Sequence, residues 1–160
     1  MLVDNKIVIR IAEQEDSKVI TQILSSAFQE FKENYTPKAF EATVIEPEKV
    51  VERMSTGIVW IVSRKNEAVG TVSGKILNNT FYIQGMAVVP KGRDHKIGYL
   101  LLKTIEDYAI ENKCQNLLLN TTPYLTKAIR LYKKFGFQII NEPPYDLFGT
   151  PLFNMKKFLK

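Results

Sequence analysis

The chain of 160 residues predicts an α/β fold: a mixed, mostly antiparallel sheet flanked by helices. Three observations carry that reading. Runs of β-branched and aromatic residues alternate along the chain with apolar stripes at helical spacing. Three of the strand-like runs, at 57–64, 68–77 and 80–89, follow one another with only turn residues between them, as in an antiparallel meander. No repeat, low-complexity tract or linker interrupts the pattern, and the length suits a single domain over residues 1–160.

Each element has a local reason. Ile7, Ile9 and Ile11 alternate with Val8 and Arg10, a strand period. Asp16 then reads as an N-cap. After it Ile20, Ile23, Leu24, Ala27, Phe28 and Phe31 form one apolar helix stripe. Pro37 and Pro47 each break or open a helix, so one or two short helices and a loop are expected before Gly57. GIVWIVSR is a buried strand, RKNEA a hairpin turn, and AVGTVSGKIL the next strand, where Gly70 and Gly74 suggest close packing or a bulge. Asn78 and Asn79 turn the chain into TFYIQGMAVV. From Gly98, the residues Leu101, Leu102, Ile105, Tyr108 and Ala109 predict a second amphipathic helix. NLLLNT is a short buried strand. Ala128, Leu131, Tyr132 and Phe135 give a further helix that stops at Gly136, a good residue just past a helix end. FQII and PLFNMKKFL are the last strands.

Composition bounds the function classes. Apolar residues make up 45% and charged residues 24%, ordinary for a globular protein, and the net charge is +5. Lysines and arginines are spread along the chain, and the densest group, MKKFLK, is short, which argues against a nucleic-acid face. The single cysteine, Cys114, forms no intrachain disulfide and has no activating neighbour in ENKCQN, so a reducing compartment is expected. The first ten residues lack a signal-peptide core, and no apolar run approaches the roughly 18 residues that span a bilayer. A cytoplasmic protein without a membrane partner is the expectation. One histidine, His95, and no Cys/His cluster point to no metal site.

Two segments carry chemistry. The first is VVPKGRDHKIGYLL, residues 88–101, which passes from strand through a charged loop into a helix. A helix start offers unpaired backbone N–H groups and a positive dipole end, which suit a phosphate. Arg93 can add a charge-assisted hydrogen bond, and Gly98 lets a ligand approach the backbone closely. A solvated loop accounts for the same residues. The second is AIRLYKKFGF, residues 128–137, in which Tyr132, taken alone, reads as a core aromatic with its hydroxyl at the surface.

Together, in this order and spacing, the two segments resemble the GCN5-related N-acetyltransferase (GNAT) family, whose members carry R-x-x-G-x-G/A at a helix start and A-x-x-L-Y-x-x-x-G-F further on. IRIAEQED resembles the family's opening strand and helix cap. The resemblance implies a central sheet of six to seven strands, splayed between the fourth and fifth, with acetyl-CoA as co-substrate. Met86 and Val88 would bond the acetyl carbonyl and the pantetheine arm through their backbones. The loop of Arg93, His95, Lys96, Ile97 and Gly98, with Tyr99 at the helix start, would hold the pyrophosphate. Lys96 stands where the family has its first glycine, and a positive φ there would cost about 1 kcal/mol. Tyr132 would be the general acid for the departing thiolate after direct attack by an amine. Tyr82, Gln84 and Met86 are expected to share one strand face, and none is a carboxylate. Gln84, Phe28, Phe31 and Tyr145 are the expected acceptor-site residues, with Tyr35 beside them and Tyr145 on a loop before the last strand.

The resemblance implies a small-molecule amine as acceptor, and a homodimer is an arrangement its members often adopt. A CoA-binding or regulatory module without catalysis is the alternative, motivated by Lys96 and the missing carboxylate.

Overall fold

The computed structural model describes residues 6–140 and 145–159, and within them the side chains of Asp94, His95 and Tyr145 lie outside the description. The strands are β1 (Ile7–Ile11), β2 (Ile58–Arg64), β3 (Glu67–Leu77), β4 (Thr80–Val88), β5 (Asn116–Thr121), β6 (Gln138–Ile139), β7 (Tyr145–Leu147) and β8 (Thr150–Phe158). The helices are α1 (Ser17–Phe28), α2 (Pro37–Thr43), α3 (Pro47–Thr56), α4 (Ile97–Glu111) and α5 (Thr126–Phe135). The sheet order is β1-β2-β3-β4-β5-β8-β6, with β7 paired to β8. Every pairing is antiparallel except β4 with β5, which is parallel. A parallel pair needs a long crossover, and α4 with its preceding loop supplies it.

The meander forms where the turn residues place it. Lys65 and Asn66 have φ of 54° and 63°, the left-handed pair of a tight hairpin whose twist matches its strands. Pro37 and Pro47 each open a helix, and Thr36 caps α2 through its hydroxyl, which accepts from the Ala39 N–H at 3.2 Å. Gly136, at φ 113°, ends α5 in a conformation that side chains resist.

Asp16 differs from expectation. Its side chain does not cap α1. Its carboxylate accepts from the Glu13 N–H at 2.7 Å, within a short 3-10 turn at Gln14–Asp16, and grips Arg10 in two hydrogen bonds of 2.7 and 2.9 Å. The loop expected before the last strand is instead β7, which turns back on β8.

β3 separates two cores. Gly70 and Gly74 face α4: an added Cβ at Gly70 would touch Ile97, and one at Gly74 would strike the Phe81 ring. That ring packs with Trp60 and Tyr108 in an aromatic cluster. Ile97, Leu101, Leu102, Ile105 and Ala109 of α4 are completely buried on this side, and burying each large aliphatic is worth about 1.5–3 kcal/mol. Thr71 and Ser73, the odd-numbered residues, face α1 and α3 beside Ile20, Leu24 and Val50.

Candidate active site

β4 and β5 pair over only three positions, Thr80–Tyr82 against Asn116–Leu118. Beyond them β4 runs on to Val88 bonded only to β3, and β5 runs on to Thr121 bonded only to β8. The sheet therefore splits, and its facing edges offer strand N–H and C=O groups with no ladder partner across the gap.

A bulge aims the β4 side chains. Ser73 opposes Gly85 while Gly74 opposes Ile83, so Gln84 is an extra residue. The bulge corrects the expectation that Tyr82, Gln84 and Met86 share a face. Met86 opposes Val72 and lies on the α4 side, with its Cε 3.6 Å from where a Cβ on Gly98 would sit, whereas Tyr82 opposes Lys75 on the other side. The Gln84 Oε1 is buried without a hydrogen-bond partner.

At the far end of β4, a 3-10 turn at Pro90–His95 leads to Lys96, which is left-handed at φ 58°, ψ 24°. α4 begins at Ile97, and no side chain caps it. Its first intrahelical bond runs from the Leu100 N–H to the Lys96 carbonyl at 3.1 Å. The N–H groups of Ile97, Gly98 and Tyr99 are thus the unpaired donors of a helix start. Lys96 is exposed.

Two loop residues have tasks that the sequence did not suggest. The Arg93 guanidinium, a phosphate ligand by expectation, donates here to the Ala27 carbonyl at 2.9 Å and the Val88 carbonyl at 3.2 Å and pairs with Glu30. It staples the loop to the end of α1. Gly98, expected to make room for a ligand, makes room for α5: an added Cβ would sit 2.8 Å from Leu131 Cδ2. The Tyr99 ring meets Phe135 edge-on at 5.5 Å, so it too packs toward α5. The backbone N–H groups of Ile97, Gly98 and Tyr99 remain open donors at the start of α4.

Tyr132 is 8% exposed, its ring edge-on to Phe137. Burial, with the neighbouring Tyr35 phenol adding to it, pushes its hydroxyl up to about 12. Burial also raises Tyr35, partly offset by the nearby Thr122 hydroxyl. No bond to Thr122 Oγ1 meets hydrogen-bond geometry, although the residue is only 2% exposed. Tyr35 joins Phe28 and Phe40 in edge-on contacts at 6.4 and 6.2 Å, and Phe31 is half-buried in a 3-10 turn at Gln29–Asn34. Thr36 ties this wall to the β7–β8 hairpin. Its N–H donates to Thr150 Oγ1 at 2.9 Å and its hydroxyl to the Phe148 carbonyl at 2.8 Å. The hairpin that carries Tyr145 is therefore brought against the segment that carries Phe31 and Tyr35.

Arg53 was missed. It stands three residues after buried Val50 on α3, and that i, i+3 spacing is the signal that puts a cation on an apolar face. Cys114 is buried in the turn after α4, and burial raises its thiol, as suits an inert cysteine. The described residues hold no group of three His, Cys, Asp or Glu side chains placed for a metal. No described helix is long and apolar enough to cross a membrane.

A sheet split between parallel neighbours, with an uncapped helix start at one end of the gap and a buried tyrosine on the helix after β5, suits a CoA-dependent acyltransferase. The acetyltransferase (GNAT) family model matches residues 19–137, and the chain belongs to that family. Over 58 residues it is 41% identical to an uncharacterized N-acetyltransferase of Schizosaccharomyces pombe, a stretch that takes in 36% of this chain and 35% of that protein. In fold it resembles the PaiA N-acetyltransferase of Thermoplasma acidophilum in complex with coenzyme A, with TM-score 0.83 and 18% identity over 96% of this chain and 99% of the other. It also resembles a GNAT-family acetyltransferase of Staphylococcus aureus Mu50, with TM-score 0.79 and 20% identity over 97% of this chain and 100% of the other.

Proposed function

We propose that this protein, acting as one domain, transfers an acetyl group from acetyl-CoA to the amine of a small molecule. The observation that carries the reading is the gap beyond Tyr82, where β4 and β5 part while the open start of α4 stands at the end of β4. A pantetheine arm is an amide chain and bonds to a free strand edge as another strand would. A pyrophosphate suits uncapped N–H groups.

When bound, acetyl-CoA supplies an activated acetyl carbon for the amine to attack, with the C–S bond breaking to release the thiolate. The Met86 backbone, just past the bulge, holds the carbonyl oxygen as charge gathers on it. Tyr132 donates to the departing sulfur. Held at about 12, its hydroxyl keeps its proton throughout the working range. Outright transfer to a thiolate with a reference pKa of about 8.5 would run uphill by about 5 kcal/mol. A hydrogen bond is thus its main contribution, while the nitrogen's surplus proton leaves through solvent. Phe28, Phe31, Tyr35 and the β7–β8 hairpin wall the acceptor side.

Calorimetric titration with acetyl-CoA and amine-dependent thiol release test the reading. Tyr132→Phe lowers kcat about 10- to 100-fold with coenzyme affinity unchanged. Unchanged kcat removes the donor role, and coenzyme binding without thiol release from any amine favours the non-catalytic module.

A further inference from the structure

Arg53 reaches from α3 across β3 to β4, on the face away from α4. Its Nη1 donates to Ser73 Oγ at 3.3 Å, a long bond. The same atom explains the glycine opposite, because a Cβ on Gly85 would lie 2.8 Å from it. Among the described residues no carboxylate pairs with this guanidinium, which carries five donors. Burial without a counter-ion pulls it below the usual arginine range. Arg53 is half-buried; a cation partly withdrawn from water without a counter-ion is costly, and a bound anion would relieve the cost. The space beside it is a cavity lined by Ile45, Val50, Thr71, Ser73 and Gly85, with an interior close to the size of one water. The planar fork of the guanidinium matches a carboxylate. Next along the strand, Gln84 holds its unpartnered buried Oε1, an acceptor open to an N–H. Gln84 and the Gly85 that Arg53 faces lie on the part of β4 past Tyr82, where the sheet has split.

We propose that Arg53 is a specificity residue that receives the carboxylate of an amino-acid-like acceptor, with Gln84 Oε1 accepting from its amine. The assignment rests on the acetyl-transfer reading for its reaction, but the anion site stands on its own geometry.

The test compares amino acids with their α-carboxamides and their decarboxylated amines. Wild type prefers the acid on the order of 10- to 100-fold in kcat/KM, mainly through KM. Arg53→Met, which keeps the aliphatic packing, and Arg53→Gln shrink that preference to about threefold or less, with the KM for acetyl-CoA and the melting temperature little changed. Arg53→Lys restores part of it. Equal use of acid and amide by wild type, or a preference that survives in Arg53→Met, overturns the proposal. Calorimetric titration of the same amino acids into the CoA-loaded protein separates the two readings. Binding that Arg53→Met abolishes, without turnover, sinks the transfer reading and keeps the anion site. No carboxylate-dependent binding sinks the anion site whatever the turnover.

Discussion

Replacing Lys96 with glycine tests the loop most directly. Lys96 sits at φ 58°, ψ 24°, where a side chain costs about 1–2 kcal/mol. Glycine removes that cost but enters folding with more freedom to lose, about 0.5–1 kcal/mol. Lys96 is exposed and makes no ion pair among the described residues, so the substitution removes none of those. The balance is a gain of about 0.5–1 kcal/mol, or roughly 1–4 °C in Tm for a chain of this size. Thermal unfolding of Lys96→Gly beside Lys96→Ala reads it. Alanine keeps the left-handed strain and leaves Tm nearly unchanged. Coenzyme affinity, measured by calorimetry at low salt, changes by no more than about fivefold, because the backbone N–H survives and an exposed ammonium contributes at most about 1 kcal/mol. A fall in Tm for the glycine variant, or an equal rise for alanine, refutes the strain argument. A drop in affinity of more than about 20-fold makes the ammonium a principal phosphate ligand.

Two further outcomes follow from the ion pairs. Asp16→Asn destabilises at pH 7 by about 0.5–1 kcal/mol, through loss of the two-bond pair with Arg10, which solvent screens on its Arg10 side, while the Asn amide oxygen still accepts from the Glu13 N–H. Arg10 holds the Asp16 carboxyl below its usual range, so the wild-type advantage is present above about pH 4 and shrinks as pH falls through the lowered folded value; urea titrations at pH 7 and pH 2.5 compare it, and a constant difference refutes the linkage. Arg93→Met leaves the Ala27 and Val88 carbonyls without their donor and costs about 2 kcal/mol, or roughly 4–8 °C in Tm, with coenzyme affinity within about fivefold; unchanged stability with a large loss of affinity would return Arg93 to the phosphate.

What was legible in the sequence was what neighbours in the chain decide. The α1 and α4 stripes, the proline starts of α2 and α3 and the glycine stop of α5 all depend on contacts within a few residues. The loop before α4 was legible for the same reason, since an uncapped helix start is a local feature. The sequence did not yield side-chain duties settled by distant partners. Arg93 looked like a phosphate ligand because its acceptors, Ala27 and Glu30, lie 66 and 63 residues away. Gly98 looked like a ligand contact because Leu131 belongs to another helix.

The amino-acid order by itself determined the elements, their succession and the open N–H groups at Ile97–Tyr99, because backbone propensity and helical or strand periodicity act over one or two turns. Tertiary structure alone decided that β4 carries an extra residue at Gln84, turning Met86 toward α4, because a bulge exists only in the register between two strands. It alone decided that Thr36 fastens the segment of Phe31 and Tyr35 to Phe148 and Thr150 across 112 and 114 residues. It alone put the Arg53 guanidinium against Gly85 with no acid to meet it among the described residues. Periodicity says which face a residue occupies; only packing says what stands opposite.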